Sequence, residues 1–564
     1  MAPSTLDLLF LTFNCAKNLV NPAIFASHLH GALSQNSTAL PDLVVFSLQE
    51  VAPLSYSFIG SYFVNRYYTP YEEALNKAAA RFLTTTTSTN ADGEAAAQLS
   101  SQTAVPQNNG RAPFPYTMVR ARNVGMTALL LFARDPAAIH HIQDAVVGFG
   151  VQDMGNKGAV GLRVTWSDSH SNGGTGSSTE LTFVATHLAA MEWNLKKRNA
   201  NWRSIVSGLT FEDPKKALPG MFPAATPTTT ADPDQPGPRP PSPASASSSE
   251  GSEEEEGDAV TPQGESDSAP LLTRQASSSL SRRSTTKKRS LNRQTHPDSP
   301  DLTPEHLSTL QEISIFKPTS HLFLAGDLNY RISSTTPPAR SPFPSFYHPP
   351  SDPLHWSHFL PRDQLTAERE AGRTMNGLSE APITFGPSYK YDVLPEAEAE
   401  NAENFAQVKA EGEVPWRWAP HRWPSWCDRA LYLDIAPWVK RRKPEAAIEV
   451  RAYDIMPLMR SSDHRPVFLR ATVPILGPEE MAPPPPPPAA EGGEGGLREE
   501  DMADPRIALP VPIDPHAWER RAAARRREVV AGWSMFVWAT REGAALIGTA
   551  LLVAGATWWL WRVM

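Results

Sequence analysis

The chain has 564 residues, room by length for about three domains, yet its 55 prolines are clustered and argue against filling that room with ordered structure. A net charge of -8 gives no overall attraction to nucleic acid or anionic lipid, so any basic site must be local. The 2 cysteines, Cys15 and Cys427, exclude a disulfide framework and point to a reducing compartment.

The opening MAPSTLDLLFLTFN lacks a basic start and a cleavage site, and predicts a buried first strand rather than a secretion signal. Short apolar runs, β-branched or aromatic in part, predict strands over 6–13, 43–48, 126–132, 159–164, 181–185 and 321–325. Residues 192–209 place Trp193, Leu195, Trp202, Ile205 and Val206 in a helical stretch. The mixture predicts an α/β protein. Residues 84–110, rich in Thr, Ser, Asn, Ala and Gln, read as a surface loop. Residues 214–302 are a low-complexity insert, with an acidic run before a basic Ser-rich run. They bury too little apolar area to offset the entropy of ordering, and are expected to be disordered. Residues 477–506 read as a spacer, with prolines at 483–488 and Glu/Gly repeats after them.

Near the C-terminus, residues 543–561 read GAALIGTALLVAGATWWLW, without a charge. As a helix they would span about 28 Å, close to the apolar thickness of a bilayer. Trp558, Trp559 and Trp561 stand at one end, where indoles favour the interface. Arg520, Arg521, Arg525, Arg526 and Arg527 lie upstream and place the body of the chain in the cytosol by the positive-inside rule. The expectation is a single-pass C-terminal anchor inserted after translation. The endoplasmic reticulum is favoured, with the outer mitochondrial membrane as the alternative.

At or just beyond the strand ends stand Asn14, Glu50, His187, Asp327, Asn329, Asp463 and His464. Singly, each is ordinary; together they are hard to explain as caps. A carboxylate (Glu50) and an amide oxygen (Asn14) are hard ligands of the kind Mg²⁺ takes with several waters. A metal there would neutralise charge on a phosphate. Asp327 is placed to orient or deprotonate a water, and His187 and His464 to donate to non-bridging oxygens. Asp463 is placed to fix an imidazole and raise its basicity. No cysteine nucleophile is needed.

The segments LTFNCAKN, FSLQE, GNKGAVGL, THLAA, AGDLNYRI, ITFGPSYKYD, PSWCDRALY and SSDHRPVF occur in that order. Together they resemble the inositol polyphosphate 5-phosphatases, within the magnesium-dependent endonuclease/exonuclease/phosphatase superfamily. The match covers roughly 6–212 and 303–472. The resemblance implies a four-layer α/β sandwich, two packed mixed β-sheets flanked by helices. It implies hydrolysis of the 5-phosphate of inositol phosphates or phosphoinositides with Mg²⁺. Asn14 and Glu50 would hold the metal. Asp327 and Asn329 would handle the attacking water and the phosphate, and His187 and His464 would bind the scissile phosphate with Asp463 in support. Asn156, Lys157, Tyr389, Lys390 and Arg429 would contact the substrate. Arg429 has a second reading, as an ion pair with a carboxylate such as Asp428. Met191 stands where the family pattern has a histidine, and Ser388 where a threonine is frequent.

The expected layout is a catalytic domain over 1–472, interrupted by the insert, then a Pro/Gly-rich linker and basic juxtamembrane segment over 473–530, then the membrane helix. A phosphoinositide is favoured over a soluble inositol phosphate, because a tethered enzyme meets a lipid in two dimensions. No nucleic-acid partner is expected. The competing readings are an abasic-site nuclease, a sphingomyelinase and a non-catalytic phosphoinositide scaffold.

Overall fold

In the computed structural model, residues 4–60, 62–90, 114–168, 177–221, 302–395, 398, 413–485 and 497–564 are described, with side chains withheld over 86–90. Of the insert expected over 214–302, residues 222–301 fall outside them, as do the Glu/Gly repeats.

The strands are β1 (Thr5–Asn14), β2 (Leu43–Gln49), β3 (Thr117–Val124), β4 (Thr127–Ala133), β5 (Ile139–Gly148), β6 (Gly158–Ser167), β7 (Ser178–His187), β8 (Ser320–Asp327), β9 (Leu378–Ser379), β10 (Tyr391–Val393), β11 (Trp416–Trp418), β12 (Asp428–Leu433), β13 (Glu449–Ile455) and β14 (Val467–Pro474). Two six-stranded sheets form, in the orders β13-β14-β1-β2-β4-β3 and β5-β6-β7-β8-β12-β9, and β10 pairs with β11. Within them, β1 runs parallel to β2 and β7 parallel to β8; the other pairings are antiparallel, so both large sheets are mixed.

The alternation of side chains along each strand decides how the sheets stack. Leu6, Leu8 and Phe10 of β1 and Leu43 and Val45 of β2 share one core with Leu181, Phe183 and Ala185 of β7 and Phe323 and Ala325 of β8. The intervening Leu9, Leu11, Phe13, Val44, Phe46 and Leu48 pack outward on the helices Pro22–Ser34 and Tyr62–Asn90. Val184, Leu322 and Leu324 pack outward on the helix Leu195–Gly208. The result is helix, sheet, sheet, helix.

Every strand predicted from an apolar run is present. Three segments differ from expectation. The first residues of the expected insert are ordered: Pro214–Ala217 is a short helix, and Leu218 is buried with Leu310 and Ile313. The helix Tyr62–Asn90 runs into the stretch expected to be a loop. Thr84 and Thr85 donate their hydroxyls back to Arg81 O at 2.8 and 3.0 Å, so these polar side chains bond within the helix. The expected 473–530 linker is in large part packed. Leu497 and Ile507 lie against the core between the sheets, and Leu509 and Val511 against the outer face of the second sheet. From Ala517 to Ala539 the chain is a helix that buries Ala524, Glu528, Gly532 and Phe536. The helix Arg541–Val563 follows; it has a mean hydropathy of 1.6 and is long and apolar enough to cross a membrane.

Candidate active site

The inner face of the sandwich turns from apolar to polar over the last residues of four strands. Asn14, Gln49, His187 and Asp327 keep the same alternation as the inner residues before them, and so point between the sheets. The registers place them in rows: Asn14 opposite Gln49 in one sheet, and Gly158, His187, Asp327 and Asp428 in line across β6, β7, β8 and β12 in the other. A polar bond crosses between the sheets, from Ser47 Oγ to Ala325 O at 2.8 Å, and Gln49 Nε2 donates to the same Ser47 Oγ at 2.9 Å from within β2.

Asp327 is the hub. Its Oδ2 accepts from Asn14 Nδ2 at 3.0 Å and faces His187 Nε2 at 3.2 Å and His464 Nε2 at 4.0 Å. Its Oδ1 accepts from the Asn329 amide at 3.1 Å, in a turn that puts Asn329 at φ 56. Burial alone would raise the Asp327 pKa; His187, His464 and Lys157 outweigh it and hold the carboxyl well below its usual range. Asp327 is therefore a buried, ionised carboxylate.

Asp428, named in the sequence only as a mate for Arg429, orients His464. Its Oδ2 lies 2.8 Å from His464 Nδ1 and accepts from Ser388 Oγ at 2.7 Å. Burial raises the Asp428 carboxyl to about 6, against the pull of His464 and Ser388, which is still below the imidazole, so the shared proton rests on His464. Burial lowers the imidazole pKa, but Asp428 and then Asp327 push it up to about 9. Asp463 makes no hydrogen bond to the ring among the described residues; its carboxylate lies 3.4 Å from Lys390 Nζ, and its charge adds to the rise of the His464 pKa after Asp428 and Asp327. Ser388 keeps the hydroxyl that a threonine would bring.

Glu50 follows β2 at φ 47. Among the described residues its carboxylate makes no hydrogen bond; it meets Lys17 at 3.5 Å and Lys157 at 3.9 Å. Burial opposes its ionisation, and Lys157, His187 and Lys17 more than compensate, lowering its pKa. Lys157 Nζ also lies against the His187 ring, and burial lowers its own pKa. Asn156 Oδ1 is buried without a partner among the described residues. The Tyr389 ring lies tilted beside His464, ring centres 4.5 Å apart.

Arg429 stands apart. It is fully buried, with Nη1 on Asp363 at 2.9 Å and Nε on Glu380 at 2.6 Å. Those carboxylates occupy its fork, and a substrate has no access to it. The expected substrate contact is thus replaced by an internal ion pair, and the partner is not Asp428, which faces His464. Arg331 was missed. It is buried, sits 4.3 Å over the Tyr389 ring, and leaves Nη1 without a partner among the described residues. Its signal was the arginine closing GDLNYR. Met191 lies at the surface, its sulfur accepting from Arg422 Nη2 at 3.3 Å.

An ionised carboxylate between two imidazoles, with oxygen donors beside it, is equipment for activating water at a phosphoryl group. The thiols offer no competing route: burial pushes Cys15 up to about 12 and Cys427 well above its ordinary value. The chain belongs to the Endonuclease/Exonuclease/phosphatase family 2, which it matches over residues 11–229 and 274–470. It is similar to the type I inositol polyphosphate 5-phosphatase 5 of Arabidopsis thaliana, 36% identical over 142 residues, 25% of this chain and 21% of that one. It is also similar to the phosphatidylinositol 3,4,5-trisphosphate 5-phosphatase 1 of Mus musculus, 29% identical over 149 residues, 26% of this chain and 11% of that one. The chain thus matches about a fifth or less of the length of these curated relatives. Among solved structures, the inositol polyphosphate 5-phosphatase domain of SPsynaptojanin, in complex with inositol (1,4)-bisphosphate and calcium ion, aligns over 83% of this chain and 84% of its own, at 18% identity and a TM-score of 0.44.

Because His464 is raised from 6.5, the stability it contributes is complete below pH 6.5 and is lost as pH climbs through about 9. Asp428→Asn removes the anion that holds this proton. The His464 pKa is expected to fall by about 1–3 units in an NMR titration of the metal-free protein; an unchanged titration would return the proton to other causes.

Proposed function

We propose that the chain is a Mg²⁺-dependent phosphatase that removes the 5-phosphate of phosphoinositides at a membrane surface. One observation carries this: the buried, ionised Asp327 shares a site with two imidazoles, an amide and a carboxylate, and lysines stand at the mouth. The 5-phosphatases to which the chain is similar support the substrate class.

The residues fit a divalent ion. Asn14 Oδ1 and the Glu50 carboxylate are hard oxygen donors, and Glu50 is ionised yet lacks a hydrogen bond among the described residues. Bound there, Mg²⁺ would neutralise charge on the phosphoryl and leaving oxygens. The chain's own residues do the rest. Asp327 accepts a proton from the attacking water, and its fixed position, set by Asn14 and the Asn329 amide, orients that water. Protonated His464 donates to a non-bridging oxygen, with Asp428 holding its orientation. Asn329 and His187 flank the phosphoryl group, and Asp463 fixes Lys390. Asn156, Lys157, Tyr389 and Lys390 meet the ring and its other phosphates, where ammonium groups suit a polyanion. Arg429 supports this site from within the core.

The membrane role rests on the helix Arg541–Val563, which is exposed almost throughout, with Gly543 its buried residue. An anchor there brings the site to a lipid substrate, at the endoplasmic reticulum or the outer mitochondrial membrane.

Two experiments test this reading. On a panel of 5-phosphorylated inositides, magnesium-dependent phosphate release is expected, and Asp327→Asn is expected to lower kcat by about 10²–10⁴-fold without unfolding the chain. Nicking of abasic DNA without phosphate release would overturn the assignment. Ending the chain after Thr540 is expected to release it from membranes. That boundary matters, because a cut at Val530 would also remove Gly532 and Phe536 from their packing. Unchanged membrane fractionation would dispose of the anchor.

A further inference from the structure

Glu528 has no place in the chemistry above, yet it is a fully buried carboxylate on the helix Ala517–Ala539. A charge so placed is expensive unless paired. Arg521, two turns earlier on the same helix, closes on it with Nη1 at 2.6 Å and Nη2 at 2.7 Å, and Arg525 lies 3.5 Å away. Its hydrogen bond beyond the helix goes to the backbone: Gly155 N donates to Glu528 Oε1 at 2.7 Å.

Gly155 immediately precedes Asn156 and Lys157. The same helix touches the loop at successive points, with Arg527 Nη1 donating to Gln152 O at 2.9 Å and Arg521 Nη1 to Asp153 O at 3.4 Å. On its other side the loop is pressed on the β3–β4 turn, where a Cβ on Gly125 would stand 1.8 Å from Gly155 O. The loop is thus held between a turn and a helix. That helix is itself firmly seated. Gly532 rests on Phe58 and Ile59, where a Cβ would come within 2.9 Å, and Arg525 Nη2 donates to Ile59 O at 3.0 Å. The helix Leu54–Ile59 starts four residues after Glu50. One helix therefore braces both the segment after the metal-site carboxylate and the loop that carries Lys157. It leads through Thr540 into Arg541–Val563.

The geometry points to Glu528 as a positioning residue for the substrate loop, with the helix Ala517–Ala539 acting as a brace between the active site and the membrane-facing end of the chain. The inference rests on the 5-phosphatase reading for its effect on catalysis, but not for the clamp itself. A carboxylate that accepts a backbone amide and is neutralised by its own helix sets the loop's position more sharply than an apolar contact would, because the bond is directional.

The test uses the full-length protein in detergent micelles. Hydrogen–deuterium exchange over residues 148–158 and steady-state kinetics on a water-soluble 5-phosphorylated inositol phosphate are measured together. Glu528→Ala is expected to speed exchange of the loop about tenfold and to raise KM about tenfold with kcat within about threefold, since Asp327, Asn14 and His464 stand on other segments. Glu528→Gln keeps an acceptor for Gly155 N and is expected to restore most of both. Arg527→Ala removes only the contact to Gln152 and is expected to loosen the same segment about twofold, which keeps the test open if Glu528→Ala fails to fold. Loop exchange unchanged in these variants overturns the clamp. Faster exchange with KM unchanged overturns its role in substrate binding. A wild-type protein that releases no phosphate sinks the 5-phosphatase reading, and the exchange measurement still decides the clamp.

Discussion

The structure turns on one buried negative charge. Asp327 sits between two sheets with Asn14, His187 and His464 around it, and an isolated carboxylate there would be prohibitively unstable. What makes the position tenable is strand register. A shift of one residue in β1, β7 or β8 would send Asn14, His187 or Asp327 to the outer face, among the helices, and would bring apolar side chains to the charge. The apolar pattern that packs the sandwich and the polar constellation at its mouth are therefore one constraint. Leu6, Leu8 and Phe10 fix the side on which Asn14 emerges, as Phe323 and Ala325 do for Asp327.

Around that hub the cations are graded. Asp428 pushes the His464 pKa up, while burial and Lys157 beside it push the His187 pKa down. Two imidazoles of opposite tendency thus flank one carboxylate, which lets one donate a proton-bearing nitrogen while the other orients. Lys157 and Lys390 carry positive charge outward to the mouth, beside Glu50 and Asp463. The helix Ala517–Ala539 reaches this arrangement from outside through Glu528, so the segment nearest the apolar helix is also built into the wall of the site.

Much of this is legible in the sequence, for a physical reason. Strands buried on both faces announce themselves as apolar runs, and the residues that end them announce the site. Strands with one wet face do not: β3, with Arg120 and Arg122, and β5, with its two histidines, carry too little apolar density to stand out. The segment 497–514 misleads in another way. Its Ile507, Leu509, Val511 and Ile513 recur at every second position, but the prolines among them signal a spacer. Neighbouring acids were the hardest to separate. Asp428 and Asp463 each sit next to a residue of interest, and only the fold shows that Asp428 contacts His464 directly while Asp463 lies against Lys390. Arg429 illustrates the same limit, since its carboxylate partners lie far away in sequence, at Asp363 and Glu380.

Convergence of these side chains on one divalent ion is most directly tested by metal titration. Calorimetry with Mg²⁺, and electron paramagnetic resonance with Mn²⁺ as its stand-in, should count one ion bound per chain. In Glu50→Gln that affinity should fall by about tenfold or more, with the folded state retained. A wild-type chain that binds no divalent ion, or a Glu50→Gln chain that binds it as tightly, would contradict the placement of a metal at this site.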